Sequence, residues 1–105
     1  MVDRNVDALE FMTKNSGVLT LGRALKADRL ASEMTQAELA KEIGVTRQAI
    51  SGFEGERDFP SYKTLKNLAR VFRMDEESYV RLMMQDLMRK KGIEGYVIDV
   101  KKSAS

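Results

Sequence analysis

The chain has 105 residues, 43% hydrophobic and 32% charged, with 18 basic and 16 acidic side chains, a net charge of +2 and a pI of about 9.0. That size supports one small domain with a modest core, and no apolar run reaches the ~18 residues of a membrane span. With no cysteine and no histidine, disulfides, thiolate metal sites and the commonest general base are excluded, and a reducing, cytoplasmic setting is the simplest reading.

The first segment, residues 1–17, carries Asp3, Asp7 and Glu10 where a signal peptide would be basic and then apolar. Asp3 is placed to cap a short helix with Val6, Leu9 and Phe11 or Met12 inward, closed by Asn15, Ser16 and Gly17. A loosely held arm is the other reading. Thr20 then caps a helix over about 21–32, with Leu25 inward and Ala24 and Ala27 as small packing residues.

Thr35–Glu54, TQAELAKEIGVTRQAISGFE, is the stretch around which the chain is organised. Leu39, Ala40 and Ile43 share one helical face. Gly44 can take positive φ without steric cost, so the chain can turn there, and Thr46 is the N-cap of a second helix. That second helix buries Ile50 and Phe53 and leaves Arg47, Gln48 and Ser51 outward. Two short helices joined by a glycine turn, with polar residues at the exposed start of the second, form a helix-turn-helix whose second helix can enter a DNA major groove.

Beyond it, Pro60–Ser61 starts a helix whose buried stripe is Leu65, Leu68, Ala69 and Phe72. Asp75 caps the next, with Glu76 and Glu77 in its first turn and Arg89, Lys90 and Lys91 in its last, the order that complements the helix dipole. Gly92 is its C′ residue. Tyr79/Val80, Met83/Met84 and Leu87/Met88, with Leu82, make an apolar stripe wider than one small domain needs to bury. Tyr96–Val100 alternates as a strand does, and 101–105 reads as a tail.

TQAELAKEIGVTRQAIS resembles the helix-turn-helix of the Cro/cI-type, or XRE, family of bacterial and phage repressors. The likeness extends over about residues 20–74, from Leu21, Gly22, Leu25 and Arg29 to Pro60, Leu65, Leu68, Ala69 and Phe72. It implies an all-α, five-helix lambda-repressor-like DNA-binding domain, here flanked by an extra N-terminal helix and a short C-terminal β-strand. The corresponding organisation is an extension at 1–17, a core at 18–74, and a C-terminal helix, dimerisation strand and tail at 75–105.

The resemblance also assigns residues. Base contacts fall on Arg47, Gln48, Ser51 and Gly52, where arginine can grip guanine and glutamine adenine through paired hydrogen bonds. Glycine at 52 departs from the family, which often has a longer side chain there. Gln36 and Thr46, at two helix starts, suit phosphate oxygens, as do Arg57 and Lys63; Lys26 and Lys66 are less specific. The matching arginine of the family, Arg29, pairs with Glu54 rather than with phosphate. Glu33 and Glu56 stand where the family often places glycine, and Gly55 directly after Glu54 predicts a recognition helix ending one residue early.

A net charge of +2 is too mild for tight non-specific binding, so DNA affinity has to come from local clusters and paired subunits. The expectation is a dimeric repressor reading a palindromic operator, with the interface at Val80, Met83, Met84, Leu87, Tyr96 and Ile98 and the 96–100 strand pairing across it. Two alternatives stand beside it: an antitoxin that also binds a toxin protein, and an interaction module that has lost DNA binding. No constellation for catalysis, cofactor or metal is present in the sequence, and Glu76/Glu77 is explained by the helix dipole.

Overall fold

The computed structural model describes residues 19–103; the N-terminal helix expected over 1–17 lies outside them. Among the described residues there are five α-helices: α1 Leu21–Ala31, α2 Gln36–Ile43, α3 Arg47–Glu54, α4 Tyr62–Phe72 and α5 Glu76–Lys90. Each begins at a residue whose side-chain oxygen accepts a free backbone N–H of the first turn: Thr20, Thr35, Thr46, Ser61 and Asp75. At α2 the cap is reciprocal, because Glu38 also accepts the Thr35 N–H at 2.8 Å.

The helix ends share one device. A backbone N–H bonds back across five residues from Met34 to Arg29, Val45 to Ala40, Arg57 to Gly52, Met74 to Ala69 and Ile93 to Met88. The residue just inside each bond is left-handed, as this closure requires: Glu33 (φ 57°), Gly44 (73°), Glu56 (62°), Arg73 (55°) and Gly92 (76°). Glutamates therefore adopt the glycine conformation at 33 and 56. Gly55 stays right-handed at φ −85° and caps α3, so the recognition helix does not end early: the left-handed position is still Glu56.

Leu21, Leu25, Leu39, Ala40, Ile43, Ile50, Leu65, Leu68, Ala69, Tyr79 and Leu82 form one core fed by all five helices. Gly22 lets α1 touch the end of α3, since a Cβ there would stand 2.5 Å from the Phe53 carbonyl oxygen. Two carboxylates tie α5 to α1. Buried Asp86 accepts the Leu21 N–H at 2.8 Å and pairs with Arg89 at 3.0 Å, and Asp28 accepts the hydroxyl of buried Tyr79.

The expected C-terminal strand is absent. Residues 96–100 form no strand and have no β partner among the described residues, and a single strand has no ladder to join. The chain turns at Gly92 and at Gly95, where φ is 86°, and Lys102 reaches Glu76 at 3.3 Å. The tail thus runs back beside α5 to its first turn. Ile98 and Val100 are half-buried while Tyr96, Val97 and Asp99 are exposed, so burial follows the alternation only at its C-terminal end.

Candidate nucleic-acid interface

α2 and α3 are joined by the turn at Gly44 and Val45, and Thr46 accepts the Ala49 N–H at 3.0 Å to start α3. Ile50 is the buried anchor of α3 at 1% exposure, and Phe53 packs beside the core. That anchoring leaves Arg47 and Gln48 fully on the surface at the helix start, with Ser51 half-buried one turn on. The sequence places these three on the outward face of α3, and they lie together there.

Arg29 and Glu54 form the expected ion pair, almost entirely buried. Arg29 Nε donates to Glu54 Oε2 at 2.7 Å and Nη2 to Oε1 at 3.0 Å, while Nη1 donates to the Met34 carbonyl at 2.8 Å. The carboxylate beside it raises the guanidinium pKa still further, so the cation is permanent. Arg29 is buried and its charge is matched by Glu54, which takes it away from a phosphate role.

The network continues to the surface. Gln36 Nε2 donates to Glu54 Oε1 at 3.0 Å, and Gln36 Oε1 accepts from Arg47 Nη1 at 3.4 Å. The Gln36 side chain is thereby engaged with protein, which leaves the first backbone N–H groups of α2 as its donors toward an anion. Arg47, by contrast, is held by one long hydrogen bond to an uncharged acceptor and by no carboxylate among the described residues.

Gly52 is corrected as a base contact. It is buried, and a Cβ at this position would stand 2.5 Å from Asp58 Oδ2. The loop after α3 folds back over it, with the N–H groups of Arg57 and Asp58 both donating to the Gly52 carbonyl at 2.9 and 3.2 Å. Glycine is needed there for loop packing, not for an opening toward a ligand. In the same loop Arg57 Nη2 donates to Ser51 Oγ at 3.1 Å. Lys63, on α4, and Lys26, on α1, are exposed; Lys66 lies 5.6 Å from the Tyr62 ring centre.

Of the expected interface on α5, Met84 is exposed at 41%. Val80, Met83 and Leu87 are half-buried, with Val80 and Met83 packed partly against the core. Tyr96 is exposed and Ile98 half-buried. Sequence reasoning missed Asp58, Asp86 and the Asp28–Tyr79 contact. The last two join partners 65 and 51 residues apart, and local pattern carries no signal at that range. No group of carboxylates among the described residues is arranged to hold a metal ion, and no helix there is long and apolar enough to cross a membrane.

A family model described as helix-turn-helix matches residues 25–78, about half of the chain. A 10 kDa protein of the ImmF control region of Bacillus phage phi105 is 36% identical over 55 residues, covering 52% of this chain; the chain spans 61% of that relative's length. An uncharacterized HTH-type transcriptional regulator of Archaeoglobus fulgidus is 36% identical over 67 residues, covering 64% of this chain and 94% of the relative. Among solved structures, the P22 c2 repressor in complex with a synthetic operator superposes with a TM-score of 0.57 at 26% identity, covering 59% of this chain and 94% of that one. The family match contains α2, the turn at Gly44, α3, α4 and the buried Arg29–Glu54 pair, and the chain belongs to the Cro/cI-type helix-turn-helix family of DNA-binding transcriptional regulators.

Proposed function

We propose that this chain is a sequence-specific repressor that binds a palindromic operator as a homodimer, reading bases from the N-terminal half of α3. The observation that carries this is the state of Arg47 and Gln48. Both are exposed at a helix start fixed by Thr46 and Ile50, and neither is paired with a carboxylate among the described residues. An exposed arginine and glutamine on such a helix can make bidentate contacts to guanine and adenine. The P22 c2 repressor, crystallised on operator DNA, supplies the precedent for repression, and the phi105 relative belongs to a phage control region.

In this reading the backbone N–H groups starting α2 and α3, at Gln36 and Thr46, hold phosphate, with Arg57 and Lys63 beside them. Val80, Met83, Met84 and Leu87 of α5 form the subunit interface. The cross-subunit strand pairing expected from the sequence is dropped, because no strand forms. Selection of bound duplexes from a random pool is the test, and a recovered palindrome is the expected outcome. Arg47→Ala and Gln48→Ala are each expected to cost about 1–3 kcal/mol of specific binding and to relax one position per half-site. Unaltered affinity and preference in both variants would overturn the assignment.

A further inference from the structure

The loop after α3 returns a cation to the face that reads DNA. Arg47, Ser51 and Gly55 are spaced four apart and so lie in one row along α3. The Arg57 guanidinium lies along this row: Nη2 donates to Ser51 Oγ at 3.1 Å, and Nη1 would stand 2.6 Å from a Cβ at Gly55. Glycine at 55 therefore leaves the space that the guanidinium fills. Arg57 is exposed and forms no ion pair among the described residues, so its charge is uncommitted.

We propose that Arg57 is a specificity-determining residue that reads a guanine edge in the major groove, taking the place beside Gly55, at the C-terminal cap of α3, where the chain itself supplies no side chain. The inference rests on the reading of α3 as the base-reading helix and changes the role of Arg57 from holding phosphate to reading sequence. One helical turn advances about 5.4 Å, against about 3.4 Å per base step. A guanidinium held one turn beyond Arg47 therefore addresses a neighbouring base pair rather than the same one. Its hydrogen bond to Ser51 goes to an uncharged acceptor and is replaceable, and it leaves the remaining N–H donors of a planar fork free for guanine O6 and N7.

Lysine separates the two roles, because it keeps the charge for a phosphate but lacks the fork. Wild type, Arg57→Lys and Arg57→Ala, each checked for an unchanged melting transition, are to be carried through selection from a random duplex pool and then through salt titration on the selected site. Arg57→Lys is expected to lose a guanine preference of about tenfold at one position per half-site and to keep the rest of the motif. Arg57→Ala is expected to lose the same preference. If both variants keep the wild-type preference at every position, and Arg57→Ala only weakens binding uniformly while lowering the salt slope by about one per subunit, Arg57 is a phosphate contact and the proposal is overturned. If wild type itself enriches no site, the reading of α3 fails first and this inference falls with it.

Discussion

Arg29 spends its donors in two directions, on both oxygens of Glu54 and on the Met34 carbonyl. Glu54 in turn holds Gln36, and Gln36 meets Arg47. One buried carboxylate thus fixes the end of α1, the start of α2 and the end of α3, while its outermost link bears on a residue that faces DNA in our reading. Removing one partner leaves the other charged, buried and unpaired, so Arg29→Ala and Glu54→Ala are each expected to cost about 3–5 kcal/mol. The double variant should lose less than the sum, which denaturant unfolding of all three proteins measures. Asp28 is the second group with leverage at this scale. Burial raises its pKa above 3.8, against the opposing hydrogen bond from Tyr79. A carboxyl raised in the folded state contributes stability that is present below its unfolded pKa and lost as pH rises through the folded one. Asp28→Asn, which cannot ionise, should therefore gain on wild type as pH climbs from below 3.8 toward neutrality. Parallel stability curves for the two proteins across that window would show that burial of Asp28 does not matter. The ion pair was legible in the sequence only through the family resemblance, and its extension through Gln36 to Arg47 was not legible at all, because it depends on where three separate helix ends meet.

At the scale of the element, the N-terminal caps Thr20, Thr46 and Asp75 are sequence-local and were readable: a hydroxyl or carboxylate one residue before the helix can reach only its own first turn. The C-terminal ends are less so. The same five-residue backbone closure ends every described helix, yet only Gly44 and Gly92 advertise it. Glu33, Glu56 and Arg73 adopt left-handed φ with a Cβ in place, at a cost of order 1–2 kcal/mol per residue. Packing on both sides of the turn imposes that conformation, as at Met34, which is anchored by its carbonyl on Arg29 and by its own side chain against the core. Glu33→Gly and Arg73→Gly relieve the strain while adding freedom to the unfolded chain, and the two effects oppose. The strain is the larger, so each variant is expected to gain about 0.5–1 kcal/mol, read as a raised denaturation midpoint at unchanged slope. A loss in both would mean that the side chains hold these turns through contacts that outweigh their backbone cost. The strand expected at 96–100 failed for a related reason. Alternation reports which positions of a chain can be sheltered, and here Ile98 and Val100 are half-buried without a neighbouring strand while Tyr96 stays exposed.

For the whole molecule, the apolar stripe of α5 divides into two parts. Tyr79 and Leu82 are core residues at 1% and 7% exposure, and Asp86, one turn beyond Leu82, anchors the helix to the start of α1. Met84 remains exposed, with Val80, Met83 and Leu87 half-buried around it. The stripe's width was readable from sequence, but its division was not, since that depends on the angle at which α5 crosses the bundle. A surface of this kind suits a two-fold interface, where the same patch meets itself and methionine adapts to its partner. A dimer that reads two adjacent major-groove half-sites needs its two copies of α3 about 34 Å apart. Sedimentation is expected to give a dimer for the intact chain. Met84→Lys combined with Leu87→Glu should give a monomer with unchanged helix content and much weaker operator binding, because each half-site is then bound alone. Deletion of residues 92–105 discriminates further. The tail runs beside α5 and pairs with nothing as a strand, so its removal is expected not to weaken association. A truncated protein that turns monomeric would transfer the assembly role to the tail, and an intact protein that stays monomeric at high concentration would remove the interface from α5 altogether.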